Sequence, residues 1–181
     1  MREVREGAIE KLETLFERHQ PAVLRYFLYL TSNRALSDDL AQEVFFRVLK
    51  YRRSYQPAAA FRPWLFQIAR NVHVDDLNRR KPEVELSEEA LSQETTRISS
   101  AAIAADRAVQ KAEEVQLLRR ALAALPGDKR EVLVMSRLLE WKYEEIASAL
   151  QCEVGTVKVR VYRALRELSE RFFSLSKEKA S

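Results

Sequence analysis

Tyr143-Glu144-Glu145-Ile146-Ala147-Ser148-Ala149-Leu150-Gln151-Cys152-Glu153-Val154-Gly155-Thr156-Val157-Lys158-Val159-Arg160-Val161-Tyr162-Arg163-Ala164-Leu165 reads as two helices joined by a tight turn. Tyr143, Ile146, Ala147 and Leu150 recur at i, i+3, i+4 and i+7, which places them on one face of a short helix. Gln151-Cys152-Glu153 makes a three-residue turn, and a longer helix is predicted from about Val154 to Leu168. On that helix Val157, Val161, Ala164, Leu165 and Leu168 form one inward stripe. The opposite face carries Thr156, Val159, Tyr162, Arg163 and Arg166, with Lys158 and Arg160 on its shoulders. A helix-turn-helix of this spacing lays its second helix in the major groove of DNA, and a basic outer face is what that insertion requires. The competing reading is a solvated basic face on an ordinary α-domain.

Upstream, Leu125-Pro126-Gly127-Asp128 ends one helix and begins another through Val132, Met135, Leu138 and Leu139. The whole chain of 181 residues holds only 3 Gly and 5 Pro, which disfavours a hairpin-rich β-fold and favours an all-α one. At 46% hydrophobic and 32% charged it buries a core but does not insert in a membrane. No run approaches the roughly 18 apolar residues of a bilayer span, and no apolar signal segment follows Met1. The single Cys152 excludes an intrachain disulfide and a Cys-rich metal site, pointing to a reducing, cytoplasmic setting.

Charge divides the chain into three blocks. Residues 1–82 carry 15 basic and 10 acidic side chains, residues 83–114 carry 3 and 8, and residues 115–181 carry 13 and 9. The middle block, Glu83 to Glu114, has no aromatics and too few large apolar residues to offset its own ordering entropy. Two small helical domains, 1–82 and 115–181, joined by an acidic flexible linker over 83–114, are therefore expected. A surface loop with a short Ala-rich helix is the alternative for the middle. Two basic domains on a tether suggest a partner touched at two separated places.

In the first block Leu12, Leu15, Phe16, Val23, Tyr26, Phe27 and Leu30 follow a helical period interrupted near Pro21. A second helix is expected to open at Ser37 as cap, with Asp38 and Asp39 at the positive end of its dipole. Leu40, Ala41, Val44, Phe45 and Val48 share its core face, while Asp39, Gln42, Glu43 and Phe46 collect on the opposite flank. An aromatic ringed by acids and amides suits a docking patch with Phe46 as anchor. Burial of Phe46 beneath a neighbouring helix is equally compatible with the pattern. Next, Pro57 and Pro63 bracket a loop, and a helix runs to about Arg80 with Leu65, Ile68, Ala69 and Val72 inward. Arg62, Gln67, Arg70, Asn71, Arg79 and Arg80 are left for its outer faces and ends. With Tyr55 and Phe61 in the adjoining loop, the segment has aromatics to stack on bases, amides to read their edges and guanidinium groups for phosphate.

Four motifs now stand in order: Asp39-Leu40-Ala41-Gln42-Glu43-Val44-Phe45, Trp64-Leu65-Phe66-Gln67-Ile68-Ala69-Arg70-Asn71, Tyr143-Glu144-Glu145-Ile146-Ala147 and Val154-Gly155-Thr156-Val157-Lys158. Together they resemble bacterial RNA polymerase sigma factors of the extracytoplasmic function (ECF) type, the reduced sigma-70 group with regions 2 and 4 only. The likeness covers roughly residues 12–81 and 115–170. It implies a subunit that binds core RNA polymerase and directs initiation at −10 and −35 promoter elements, with an anti-sigma factor as its usual restraint. The positions of Asp39, Gln42 and Glu43 would dock on the β′ clamp helices, and region 4 on the β flap. Asn71 would line the pocket for a flipped −10 base, with the loop from Tyr55 to Phe61 as its wall. Lys158, Val159, Arg160, Tyr162 and Arg163 would face the −35 element or its phosphates. The acidic linker would follow the RNA-exit path of the polymerase.

The sequence departs from the family pattern in four places. Val159 stands where a small polar residue is usual; it contacts a thymine methyl but cannot hydrogen-bond a base edge. Lys158 replaces Arg and loses bidentate pairing with guanine. Glu153 stands where Pro often opens the recognition helix, and Trp141-Lys142 occupies a usually Gly-containing link. No cofactor is implied, and there is no Gly-rich phosphate loop or nucleophile–base spacing. His73, Asp75 and Asp76 lack the common face a metal needs. Without the resemblance, the remaining readings are a stand-alone helix-turn-helix regulator or a decoy that titrates an inhibitory partner.

Overall fold

The computed structural model describes residues 1–80 and 102–180. Every regular element among them is helical: α1 (Arg2–Glu6), α2 (Lys11–Thr31), α3 (Arg34–Lys50), α4 (Phe61–Arg80), α5 (Ala102–Ala123), α6 (Gly127–Leu133), α7 (Tyr143–Leu150) and α8 (Val154–Ala180). The first 19 residues of the expected linker, 83–101, lie outside the described residues; from Ala102 the chain is helical.

Helices α2, α3 and α4 pack around Tyr26, Phe27, Leu30, Leu40, Val44, Val48, Leu65, Phe66, Ala69 and Val72, all buried. Apart from Phe66, these are residues whose 3.6 period marked one face of each helix, and full burial of each large apolar side chain contributes roughly 1.5–3 kcal/mol. The short α1 is tied to the loop after α3, with Arg2 donating to the Pro57 carbonyl at 3.0 Å and Val4 buried. Helices α5 to α8 close over Leu122, Leu125, Val132, Leu133, Met135, Ile146, Ala147, Val157, Val161 and Ala164.

Three local expectations change. Helix α2 runs through Pro21 without interruption. The roughly 3 kcal/mol that an internal proline costs is outweighed because Val23, Tyr26 and Phe27 beyond it must stay on the helix to reach the core. Helix α3 opens at Arg34, not Ser37, because extended Asn33 caps it: its side chain accepts from the Leu36 amide at 3.0 Å. Ser37 is buried one turn inside, bonded to the Asn33 carbonyl at 2.6 Å and to Thr31 Oγ1 at 2.9 Å. Helix α8 continues twelve residues past Leu168 to Ala180, supported by the i,i+4 pairs Glu167–Arg171 and Arg166–Glu170.

After α6 the helix widens into a π turn over Val134–Leu138, and Glu140 takes a left-handed conformation with φ 54°. That reversal swings Trp141 inward, where its amide donates to the Met135 carbonyl at 3.0 Å. The two helical halves meet where α4 lies along α7 and where α2 meets α5 and α6.

Candidate nucleic-acid interface

The turn of the helix-turn-helix closes on Gln151, which adopts the left-handed conformation with φ 51° and ends α7. The Cys152 amide then donates back to the Ala147 carbonyl at 3.0 Å, a Schellman-like closure. At the other end of α7, the Glu145 carboxylate accepts from the Lys142 amide at 3.1 Å. Val157, Val161 and Ala164 hold α8 to the core. Lys158, Val159, Arg160, Tyr162, Arg163 and Arg166 are exposed on its other side, and Thr156 is half-buried at its first turn. Tyr162 at 69% and Val159 at 48% are large apolar-bodied groups held out in solvent, a costly choice for an idle surface. Arg166 pairs with Glu170 at 3.1 Å, and that carboxylate raises its pKa.

The second candidate face departs from expectation. Tyr55 is buried, its hydroxyl donating to the Ala59 carbonyl at 2.6 Å and its ring meeting Phe61 and Trp64 edge-on at 5.9 and 5.2 Å. It props the loop from within and offers no face to a base, which corrects its expected stacking role. Phe61 is half-buried, edge-on to His19 at 5.1 Å. Burial first, then the charges of Arg18 and Arg62, lower the pKa of His19. Asn71 is exposed on α4.

Arg62, Gln67 and Arg70 are also on α4, half-buried, and each reaches a group of the C-terminal half. Arg62 donates to the Leu139 carbonyl at 3.3 Å and lies 3.5 Å from the Glu145 carboxylate. Gln67 donates to the Ser148 carbonyl at 2.8 Å, and Arg70 to Glu131 Oε2 at 3.2 Å. Asn71 therefore stands apart from three of its expected companions.

On α3, Phe46 is 62% exposed, so it does not pack under a neighbouring helix. Asp39 and Gln42 are exposed beside it. Glu43 accepts from Arg47 at 2.7 Å, and Arg47 reaches Asp75 at 2.6 Å, tying α3 to α4. A shallow groove next to this flank is lined by Ile9, Leu12, Phe16 and Phe45, with Glu10 and Glu13 at its rim. Phe16, part of the helical period of α2, is 39% exposed, with its edge on Phe45 at 4.8 Å. Asp76, buried, pairs with Arg80 at 2.9 Å, so Asp75 and Asp76 both serve ion pairs, and burial lowers the pKa of His73.

Two residues in the seam between the halves escaped sequence reading. Trp141 is buried with its ring edge-on to Phe66 at 4.6 Å and the Arg62 guanidinium 4.2 Å from its centroid. Glu131, on α6, accepts from the Tyr26 hydroxyl at 2.7 Å as well as from Arg70. The only sequence signal for either was oddity: a Trp in a link and an acid on an apolar helix face.

Comparison with known proteins agrees with this geometry. The family description "Sigma-70 region 2" matches residues 15–83, and "Sigma-70, region 4" matches residues 115–168. The RNA polymerase sigma factor CarQ of Myxococcus xanthus is 32% identical over 184 residues, covering 99% of each chain. The ECF RNA polymerase sigma factor EcfG of Rhodopseudomonas palustris is 35% identical over 150 residues, covering 82% of this chain and 78% of its own. Among solved structures, the sigma factor RpoE in complex with the anti-sigma factor NepR from Bartonella quintana superposes with a TM-score of 0.71 at 23% identity. That match covers 90% of this chain and 96% of the other, and it shows the shared fold. The chain belongs to the sigma-70 family, in its ECF group, and is a sigma factor for promoter recognition and transcription initiation.

Proposed function

We propose that this sigma factor binds core RNA polymerase through the flank of α3 and reads the −35 element with the outer face of α8. Asp39, Gln42 and Glu43 supply polar register around the Phe46 anchor, on the β′ clamp helices, and the C-terminal domain rests on the β flap. The observation that carries this reading is the exposure of Phe46 among acids and amides on one domain while Lys158, Arg160 and Arg163 stand exposed on the other. Phosphate contacts from these cations position the helix, and Val159 contributes apolar contact to a thymine methyl. Asn71 and Phe61 form the −10 base pocket, joined by Arg62, Gln67 and Arg70 when these are released from the C-terminal half.

The chain itself performs no bond chemistry; nucleotidyl transfer is the polymerase's. It works in the cytoplasm under the control of an anti-sigma factor, a reading supported by the solved relative that carries such a partner. Domains 1–82 and 115–181 on the acidic linker match the two promoter elements, which lie apart on DNA. Co-elution of the full chain with core polymerase tests the docking face. Wild type is expected to co-elute stably and Asp39→Ala/Gln42→Ala to dissociate; failure of wild type to bind active core would defeat the proposal.

A further inference from the structure

Helix α1 lies outside the stretch matched as sigma-70 region 2, which begins at residue 15. Its 5 residues are too few to hold a helix in water, so its place comes from contacts with the rest of the chain. Val4 supplies the apolar contact and is fully buried. The polar ones go to the segment between α3 and α4: Arg2 donates to the Pro57 carbonyl at 3.0 Å, and Arg5 Nε to the Arg53 carbonyl at 3.5 Å. Pro57 belongs to the loop from Tyr55 to Phe61 that walls the proposed −10 pocket, so α1 is docked directly on that wall.

This docking gathers cations. Arg2, Arg5 and Arg53 are exposed, and none of them forms an ion pair among the described residues. A bond to a carbonyl uses one of the five guanidinium N–H groups, so Arg2 and Arg5 keep donors open to solvent. The guanidinium of Arg53 has no partner at all among the described residues. From Lys50 to Arg62 the sequence has four basic residues and no acidic one. Glu3 and Glu6 of α1 are exposed and pair with none of these arginines. By contrast, Arg47 is matched by Glu43 and Asp75, and Arg80 by Asp76. Arg52 stands aside from the cluster, half-buried with its guanidinium on the Leu49 carbonyl at 2.9 Å. Like charges collected without an acid repel one another, and a bound anion relieves that repulsion.

Two neighbours of the cluster say which anion fits. Tyr51 is 47% exposed, with Lys50 Nζ 5.5 Å from its ring centroid, so an aromatic face stands beside the cations. Basic groups with a free aromatic suit unpaired nucleic acid, whose bases stack while its phosphates are held. The second neighbour is the loop itself. Tyr55 is turned inward onto the Ala59 carbonyl, and residues 56–60 include no charged side chain. That stretch of wall therefore has no cation of its own for the phosphates on either side of a base in the pocket. Arg2, Arg5 and Arg53 stand next to it and can supply the charge.

We propose that α1 and the turn after α3 form a phosphate clamp for the melted DNA strand, in which Arg2, Arg5 and Arg53 hold the phosphates flanking the base in the −10 pocket. The clamp carries no sequence information; it fixes the strand so that Phe61 and Asn71 meet the correct base. Because Val4 and two carbonyl bonds seat α1 in the free protein, the backbone that carries the cations is in place before DNA arrives, which lowers the ordering cost of binding. This inference rests on the −10 reading of the loop from Tyr55 to Phe61.

Holoenzyme on two probes tests the clamp: a fork-shaped promoter probe whose −10 strand is unpaired, and a duplex that ends upstream of the −10 element. In Arg2→Gln/Arg5→Gln/Arg53→Gln the slope of log affinity against log salt on the fork is expected to fall by about 0.7 per cation removed, about 2 in all. On the duplex it is expected to stay unchanged. Methylphosphonate linkages that neutralise the phosphates beside the −10 base are expected to lower the wild-type slope and to leave that of the triple variant alone. Arg53→Gln gives the single-cation shift by itself, should loss of Arg2 and Arg5 release α1. An unchanged fork slope in both variants overturns the clamp. So does an equal loss on the duplex, which marks a general polyanion surface, and so does weakened co-elution with core polymerase in the absence of DNA, which marks a protein-docking face. The −10 reading is scored separately: Phe61→Ala and Asn71→Ala are expected to change the base preferred in the fork without moving the salt slope. An unchanged preference overturns that reading, while the slope and the methylphosphonate positions still report where the cations hold the strand.

Discussion

The indole of Trp141 meets the ring of Phe66 edge to face at 4.6 Å, joining the turn before α7 to the inward side of α4. Edge-to-face pairs of this kind contribute about 0.5–1.5 kcal/mol beyond the area they bury. Trp141 Nε1 is buried and has no hydrogen-bond partner among the described residues. Shape, apolar area and the Arg62 guanidinium over the ring hold the side chain, with no hydrogen bond from its indole nitrogen.

Trp141→Ala is therefore expected to destabilise the chain by about 3–5 kcal/mol in urea unfolding, through the cavity left behind. Trp141→Phe removes the unpaired donor along with part of the ring and is expected to cost much less. A loss from Trp141→Phe equal to that from Trp141→Ala would show that the indole nitrogen matters.

Phe46→Ala removes a side chain that touches solvent, so urea stability is expected to stay within about 0.5 kcal/mol of wild type. Affinity for core polymerase is expected to fall at least about tenfold, the effect of deleting an interface anchor. Binding assays on the same preparation separate the two outcomes.

Lys158→Ala is expected to weaken binding of holoenzyme to all −35 sequences alike and to reduce the salt slope by about one. Val159→Ser is expected to change which base is preferred at one −35 position while leaving the salt slope alone. Promoter libraries read at two salt concentrations check both.

His19 and His73 both have pKa values below the ordinary 6.5, in each case first through burial. Charges of Arg18 and Arg62 add to the lowering at His19; at His73 Asp76 opposes it and Arg130 adds to it. Since the folded pKa lies below the unfolded one, the unfolded chain binds more protons as pH falls below about 6.5. The stability these groups contribute is present above that pH and is lost as pH falls through the folded values. The urea midpoint is expected to drop as pH falls below about 6.5, and less steeply in His19→Gln/His73→Gln.

Asn33→Ala removes the side chain that accepts from the Leu36 amide and is expected to cost about 1 kcal/mol. Ser37→Ala breaks its buried bonds to Thr31 and the Asn33 carbonyl instead, and is expected to cost a similar amount by a different route. Thermal unfolding of the two single variants and the double variant distinguishes additive from shared effects.

Much of the fold was legible because its signals are local. The stripe Val157, Val161 and Ala164 and the turn at Gln151 sit within a few residues of the groups they organise, and the structure places them as the spacing implied. Position 37 misled because Ser and Asn both cap helices, and the choice of Asn33 depended on which backbone turned extended. Tyr55 misled for another reason: an aromatic in a polar loop serves a base or a buried prop equally well, and only the carbonyl of Ala59 chose between them.

The amino-acid sequence by itself determined the helices, the two outward faces on α3 and α8 and the membership of the sigma-70 family, since periodicity, turns and motifs are short-range properties. Only the tertiary structure decided that Arg62, Gln67 and Arg70 meet Leu139, Ser148 and Glu131. Those partners are 61 to 81 positions away, in the C-terminal half of the chain. A polar side chain on a helix surface has no period that names its partner; it is satisfied by water or by whichever surface docks there. The docking of the two halves made that choice.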